Sequence, residues 1–243
     1  FFSIPLILGN LLQQLYNTAD SVMVGNFVGS NALAAVGASS SMIYLLIAFS
    51  QGAAVGAGVI VAQYLGAGYK KSVSDAVHTS LVIAGILGIV LTIAGIVLSR
   101  QLLEWMKTPE EVMEQAVTYF RLYSAGMFFG IVYNMAAGIL NAAGNSKRSL
   151  LYLAVASFTN IILDILFIAI LDMGVAGAAI ATDISQAVSC ILSMAFLMRV
   201  KDSYQVSLKK LKIHRRIAGS MIRVGLPTGI QNMVISFSNI LIQ

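Results

Sequence analysis

The sequence predicts an all-α integral membrane protein, on the basis of its composition, its long apolar segments and the placement of its charges. Of the 243 residues, 58% are hydrophobic and 10% are charged, whereas soluble domains carry about 25% charged residues. A compact water-soluble body of this length would lack the polar side chains needed to cover its surface. The composition therefore excludes a cytosolic enzyme, a nucleic-acid-binding module and a disordered chain.

Six apolar segments are long enough to cross a bilayer, and a seventh begins near the end of the sequence. A spanning helix needs about 20 predominantly apolar residues. We place the spans at 3–27, 38–64, 77–99, 115–141, 149–171, 175–198 and from 222 onward. This predicts a six-span amino-terminal lobe (1–200), a basic amphipathic cytoplasmic linker (201–221) and the start of a seventh span in a second lobe (222–243).

A short sequence similarity between the beginning and the end of the chain indicates an internal repeat. Pro5 precedes Asn10 near the beginning, and Pro227 precedes Asn232 near the end, each in the pattern apolar-Pro-x4-Asn. The second copy falls where six spans have just finished, and tandem six-span halves are a common transporter plan. We therefore expect this chain to be one lobe of a twelve-span protein whose partner, the carboxy-terminal lobe, is missing.

Most of the basic residues lie on one side of the predicted membrane. Loops two-three, four-five and six-seven hold the majority of the fifteen lysines and arginines, and the opposite loops hold several glutamates. Because cytoplasmic loops are rich in Lys and Arg, we predict a multi-pass protein of the plasma (inner) membrane with a cytoplasmic amino end. The net charge of +5 is explained by these loops, and we expect no nucleic-acid partner.

Acidic residues within the predicted spans mark the candidate site. A carboxylate at the centre of a span costs roughly 2.5–3.5 kcal/mol on insertion scales, and such residues are usually functional. Asp20 and Asp164 each lie ~7 residues, or about 10 Å, before the outer end of a span, and Thr182 lies ~8 residues into span six. Asn160 is one turn from Asp164 on the same face. We predict that these four residues meet at one depth and bind H⁺ or Na⁺ reversibly.

Other polar residues are weaker candidates for the wall of a cavity. Span one carries a polar stripe that includes Gln13 and Asn17 and must face protein or water. For Gln13 and Asn17, bridging two helices is an equally open role. Asn134 lies deeper, in span four, where it is a candidate for lining the central cavity.

Asp183 stands apart from the predicted pocket. It follows Thr182 directly and therefore points about 100° away around the helix. Pairing with Arg121, lining another crevice and a structural role are all open for it.

A series of motifs resembles the multidrug and toxic compound extrusion (MATE) family. These motifs cover essentially the whole chain and lie at Pro5–Gly29, Ala32–Gly37, Gln63–Gly68, Gly138–Asn145, Asn160–Asp164 and Gly174–Thr182. The resemblance implies twelve spans in two lobes around a central cavity, and export of organic cations in exchange for Na⁺ or H⁺. It also implies pocket roles for the four residues selected by depth, and lining roles for Tyr119 and Asn134.

Two other functions stay open at this stage. A lipid-linked oligosaccharide flippase of the same broad superfamily would need several cations in its cavity, and Arg121 is the one basic residue that could lie near the middle of a predicted span. A membrane enzyme or receptor domain would need a nucleophile-base set or metal ligands, and two histidines with one cysteine do not form one. We therefore predict a non-enzymatic antiporter with no cofactor beyond its coupling ion, and with small organic cations and the lipid bilayer as partners.

Overall fold

The structure, a computed structural model, describes the backbone of residues 3–242 and the side chains of residues 8, 9 and 11–234. Between residues 3 and 242 the chain forms helices and no strands. Seven α-helices follow one another: α1 (Ser3–Phe27), α2 (Ser30–Gly66), α3 (Lys70–Trp105), α4 (Glu110–Ala142), α5 (Ser146–Asp164), α6 (Gly174–Arg199) and α7 (Arg215–Ile242). A π-helical turn, Ile165–Ile170, continues α5.

Five of these helices are long and apolar enough to cross a membrane: α2, α3, α4, α5 with its π-helical turn, and α6. The first helix is as long as a span, with 25 residues, but it carries the polar stripe that the sequence analysis singled out. The last helix begins with two arginines. The predicted all-α membrane fold is confirmed, and most helices extend beyond the predicted apolar spans into the flanking polar residues.

The fourth helix lies at the centre of the bundle. It packs against α2, α3 and α6, and several of its large side chains, among them Phe120, Ile139 and Leu140, are fully buried. The first helix packs instead against α5. As a result α1, α4, α5 and α6 surround an interior region in which polar side chains are shielded from lipid.

Glycines allow α2 and α7 to approach very closely. Gly52 and Gly56 of α2 face Gly225 and Gly229 of α7, and a Cβ atom added to Gly225 would lie 2.7 Å from the carbonyl oxygen of Gly52. Small residues permit such close helix contacts in membranes because they let the two backbones meet. This contact joins the last helix to the first six.

The linker between α6 and α7 is docked on the bundle. Its backbone N–H groups donate hydrogen bonds from Val206 to the Leu197 carbonyl oxygen (2.9 Å) and from Ser207 to Nε2 of His78 (3.0 Å). The Asn145 amide also donates to the Tyr204 hydroxyl (2.9 Å). The linker turns at residues 202–205, where the Gln205 N–H donates to the Asp202 carbonyl oxygen (3.0 Å), and it forms one short 3-10 turn at Leu208–Lys210.

The last helix begins earlier than the sequence predicts. It starts at Arg215, inside the stretch assigned to the linker (201–221). The physical reason is that Ile217, Ala218 and Met221 are buried at helical spacing, so tertiary contacts extend the helix into the basic segment.

The α2–α7 contact predicts a sharp difference between two glycine positions of α2. Replacing Gly52 with Ala should lower the melting temperature of the purified protein, because the added Cβ collides with the backbone of α7 and overpacking costs about 1–3 kcal/mol. The same change at Gly37, where a Cβ meets nothing within 4 Å, is the control and should leave the melting temperature unchanged or slightly raised. Equal melting temperatures for the two variants would contradict the close contact.

Candidate ion and substrate site

Four polar side chains from three helices lie together in the interior of the bundle. Asp20 comes from α1, Asn160 and Asp164 from α5, and Thr182 from α6, and their exposed fractions are 7%, 0%, 0% and 4%. The Asn160 amide nitrogen donates a hydrogen bond to the Thr182 hydroxyl at 3.4 Å. Asp20 lies on α1, which packs against both α5 and α6. The structure therefore brings together the residues that the depth argument selected, while their role stays a prediction.

The helix ends explain why these residues share one depth. Asp20 lies about two turns before α1 ends at Phe27, and Thr182 lies about two turns after α6 begins at Gly174. Asp164 is the last residue of α5 proper, and the π-helical turn that follows extends to Ile170. Such turns are rare and occur often at functional sites.

Several oxygen atoms at this position have no hydrogen-bond partner among the described residues. They are Oδ1 of Asp20, Oδ1 of Asn160 and both carboxylate oxygens of Asp164, and all four are buried. Because more than about 90% of buried polar groups in native proteins are hydrogen-bonded, a cluster of exceptions calls for an explanation. A proton, or a hard cation with its preference for oxygen ligands, would satisfy these atoms.

Two cavities meet at this site. The first, which we call the open cleft, has a volume of about 820 Å³ and is lined by residues of α1, α2 and α4, including Asp20. The second, the inner cavity, has a volume of about 170 Å³, lies mainly between α1, α4, α5 and α6, and is lined by Asn160. Tyr16 and Tyr123 line both. Within the four-residue cluster, Asp20 lines one chamber and Asn160 the other, whereas Asp164 and Thr182 line neither.

The structure places each of the weaker sequence candidates on a cavity wall. Gln13 lines both chambers, Asn17 and Tyr119 line the open cleft, and Asn134 lines the inner cavity. The structure therefore places Asn134 on a cavity wall. Asn10, another member of the polar stripe, lies outside the residues whose side chains are described.

Sequence reasoning missed three tyrosines and a glutamine in these walls. The Asn17 amide donates to the Tyr44 hydroxyl (3.3 Å), and the Gln186 amide donates to the Tyr123 hydroxyl (3.2 Å). Tyr16, the third tyrosine, lies in the wall that the two chambers share. Helical spacing could have found two of the four, because Tyr123 is one turn from Tyr119 and Gln186 is one turn from Thr182.

Asp183 lies outside the four-residue cluster, at the interface between α4 and α6. Its carboxyl group packs directly against Gly126 of α4, and its Oδ1 is buried without a hydrogen-bond partner among the described residues. Arg121 turns the other way and donates to the Ser99 hydroxyl at 2.8 Å. The pairing of Asp183 with Arg121, one of the alternatives that the sequence left open, does not form.

Comparison with known families agrees with this architecture. The family model described as MatE matches residues 5–166, which is most of the first six helices. The chain belongs to the MatE family. A relative from Bacillus subtilis (strain 168), named "Probable multidrug resistance protein YpnP", is 32% identical over 235 residues, which cover 97% of this chain and 52% of the relative. The chain spans about half the length of the curated relatives it matches.

Solved structures of MATE transporters share the fold. A transporter in an "outward-facing conformation" matches with a TM-score of 0.91 and 33% identity over 98% of this chain and 53% of that one. A transporter in an "inward-facing conformation" matches with a TM-score of 0.86 and 33% identity over 93% of this chain and 51% of that one. This MatE chain is accordingly a multi-pass membrane protein with the helix arrangement of one transporter lobe.

The buried, unpartnered carboxyl of Asp164 predicts a stability change on neutralisation. An ionised carboxylate without a partner destabilises a folded protein, so Asp164→Asn should raise the melting temperature at alkaline pH by about 2–8 °C. The difference should shrink as the pH falls, because protonation neutralises the wild-type carboxyl. The matched control is Asp172→Asn, an exposed position, which should change the melting temperature little. A lower melting temperature for Asp164→Asn at alkaline pH would show that a bound partner already stabilises the charge.

Proposed function

We propose that this MatE chain forms one lobe of an antiporter that exports organic cations in exchange for H⁺ or Na⁺. The observation that carries the proposal is the set of buried, unpartnered oxygens on Asp20, Asn160 and Asp164. Such a set can accept a small cation and release it when the pocket rearranges. The names of relatives, such as "Probable multidrug resistance protein YpnP", support drug export as the outcome.

The open cleft has the chemistry of a site for organic cations. Asp20 supplies a negative charge on its wall, and the rings of Tyr44 and Tyr119 lie on the same wall. Aromatic faces attract organic cations by about 0.5–2 kcal/mol each, and more strongly when water is excluded. A cleft of this volume can accept flat cations of different shapes, because the attraction to a ring does not require one fixed hydrogen-bond geometry.

Exchange follows if the small ion and the organic cation compete for the same charge. When H⁺ or Na⁺ binds between Asp20 and Asp164, the open cleft loses the negative charge that retains the drug, and the drug leaves. The neutralised site can then change its access and release the ion on the other side. Thermodynamic linkage requires the effect to be reciprocal, so the drug must weaken ion binding by the same factor.

The direction of transport rests on the orientation predicted from the charges. The end of the bundle that carries the α2–α3 and α4–α5 loops and the linker is rich in Lys and Arg, and we assign it to the cytoplasm by the positive-inside rule. The amino end of α1 then lies in the cytoplasm, and the four-residue cluster lies in the outer half of a plasma (inner) membrane. A second lobe would complete the wall of the open cleft.

The lining of the chambers favours a cationic substrate over the lipid-linked pyrophosphate of a flippase. Among the described residues that line the open cleft and the inner cavity there is no Lys or Arg. A pyrophosphate group needs cationic partners, whereas Asp20 would repel it.

The proposal predicts that Asp20 is required for drug export. In the full-length protein, Asp20→Asn should abolish resistance to cationic drugs in an efflux-deficient host without lowering expression. Asp183→Asn is the matched control, because it removes a partly buried acid that packs against α4 outside the cluster. We expect this control to keep resistance. Full resistance in Asp20→Asn, or equal loss in both variants, would remove Asp20 from the coupling role.

The coupling ion can be identified in vesicles that contain the purified full-length protein. Efflux of a fluorescent organic cation should be driven by an imposed Na⁺ gradient, a pH gradient or both, and Asp20→Asn and Asp164→Asn should each abolish the driven flux. Flux that is independent of both gradients would contradict antiport. Flux of a lipid-linked oligosaccharide in place of the cation would favour the flippase.

A further inference from the structure

An apolar groove lies between α2, α3 and α7, away from the ion site. Its volume is about 340 Å³, and all of its lining residues are apolar. Its floor is buried and includes Ala57, Met135 and Met221, whereas the side chains along its rim are about half exposed, namely Ile86, Val90 and Ile222. Since α3 is one of the helices apolar enough to span the membrane, we expect this groove to open toward the lipid.

The groove lies at the depth of one membrane leaflet below a cationic residue. Arg215, Ile222 and Leu226 are spaced by seven and four residues, so they share one face of α7. The part of the groove between Ile222 and Gly229 therefore lies about 10–20 Å along the helix from Arg215. One leaflet accounts for about half of the ~30 Å hydrocarbon thickness. Arg215 is thus at the level of lipid headgroups when the groove is at the level of acyl chains.

Hydrogen bonds fix the cationic end of the linker above this groove. Thr79 of α3 is fully buried, and its hydroxyl accepts the backbone N–H of His214 at 3.2 Å and lies 3.3 Å from the Lys212 carbonyl oxygen. The His214 ring lies 3.5 Å from the Asp75 carboxylate. Thr79 is one turn from Ile83, which lines the groove. The backbone of Lys212 and His214 is therefore held against α3 one turn from the groove, and Arg215, whose side chain is exposed like that of Lys212, follows directly.

The linker itself has the composition of a segment that lies in a membrane interface. Leu208, Leu211 and Ile213 are 40–62% exposed and alternate with three lysines, Lys209, Lys210 and Lys212. Exposed apolar residues interleaved with cations are typical of segments that bind anionic bilayers. This observation is independent of the groove, and it also indicates that this part of the protein lies at the surface of a membrane.

We propose that the groove is a binding site for an anionic phospholipid, with an acyl chain between α2, α3 and α7 and the phosphate against Lys212 and Arg215. The apolar lining selects a hydrocarbon chain, and the two cations select a negative headgroup over a zwitterionic one. A bound lipid would join the linker to α3 and α7 at the point where the first six helices meet the seventh.

Quenching of tryptophan fluorescence by brominated lipids tests the site. The full-length protein is prepared with every natural tryptophan, including Trp105, replaced by Phe. Ile86→Trp then reports on the groove, and Ile93→Trp reports on the lipid-facing surface of α3 beyond it, where Ile93 is 57% exposed. In vesicles of phosphatidylcholine, brominated phosphatidylglycerol should bind at the Ile86→Trp reporter about fivefold or more tightly than brominated phosphatidylcholine. At the Ile93→Trp reporter the ratio of the two binding affinities, phosphatidylglycerol to phosphatidylcholine, should be about one.

Charge variants complete the test. Lys212→Gln combined with Arg215→Gln should reduce the ratio at the Ile86→Trp reporter to about one, whereas Lys201→Gln, a cation of the same linker before its docked part, should leave it unchanged. Equal binding of the two lipids in the groove, or quenching by neither lipid because protein covers the groove, would overturn the proposal. If Ile86→Trp does not fold, native mass spectrometry of the unsubstituted protein replaces it, and equal retention of phosphatidylglycerol and phosphatidylcholine would overturn the proposal.

Discussion

Buried oxygen atoms without a partner are the constraint on which this account depends. The carboxylates of Asp20 and Asp164 and the amide oxygen of Asn160 are removed from water and have unmet hydrogen-bonding capacity among the described residues. Within a membrane such atoms are costly, because neither lipid nor water is at hand to satisfy them. A protein that keeps them together on separate helices gains a place where a proton or a small cation changes the local charge.

The rest of the lobe positions these atoms. The central α4 buries large apolar side chains on several sides and leaves the polar faces of α1, α5 and α6 to meet in the interior. The π-helical turn after Asp164 packs against Gly177 of α6, where a Cβ would lie 3.1 Å from Phe167. The glycine contact between α2 and α7 and the docked linker then join the lobe to the helix that follows.

The fold class and the four-residue cluster could be predicted because both follow from local rules. Composition indicates a membrane, and the fixed rise of a helix gives depth, so Asp20, Asp164 and Thr182 could be assigned to one level. The depth of a residue does not fix how its helix is rotated about its own axis. The division of polar residues between the open cleft and the inner cavity was therefore not predictable. The docking of the linker was not predictable either, since Ser207 and His78 are 129 residues apart and no local pattern marks that pair.

The central claim is that one charge site serves the small ion and the organic cation in turn. It is tested most directly by titrating a weakly buffered solution of the full-length protein with an organic cation while free H⁺ and Na⁺ are recorded with electrodes. The account predicts release of about one H⁺ or Na⁺ for each drug cation bound, and no release from a protein that carries both Asp20→Asn and Asp164→Asn. Drug binding that releases neither ion from the wild-type protein would contradict it.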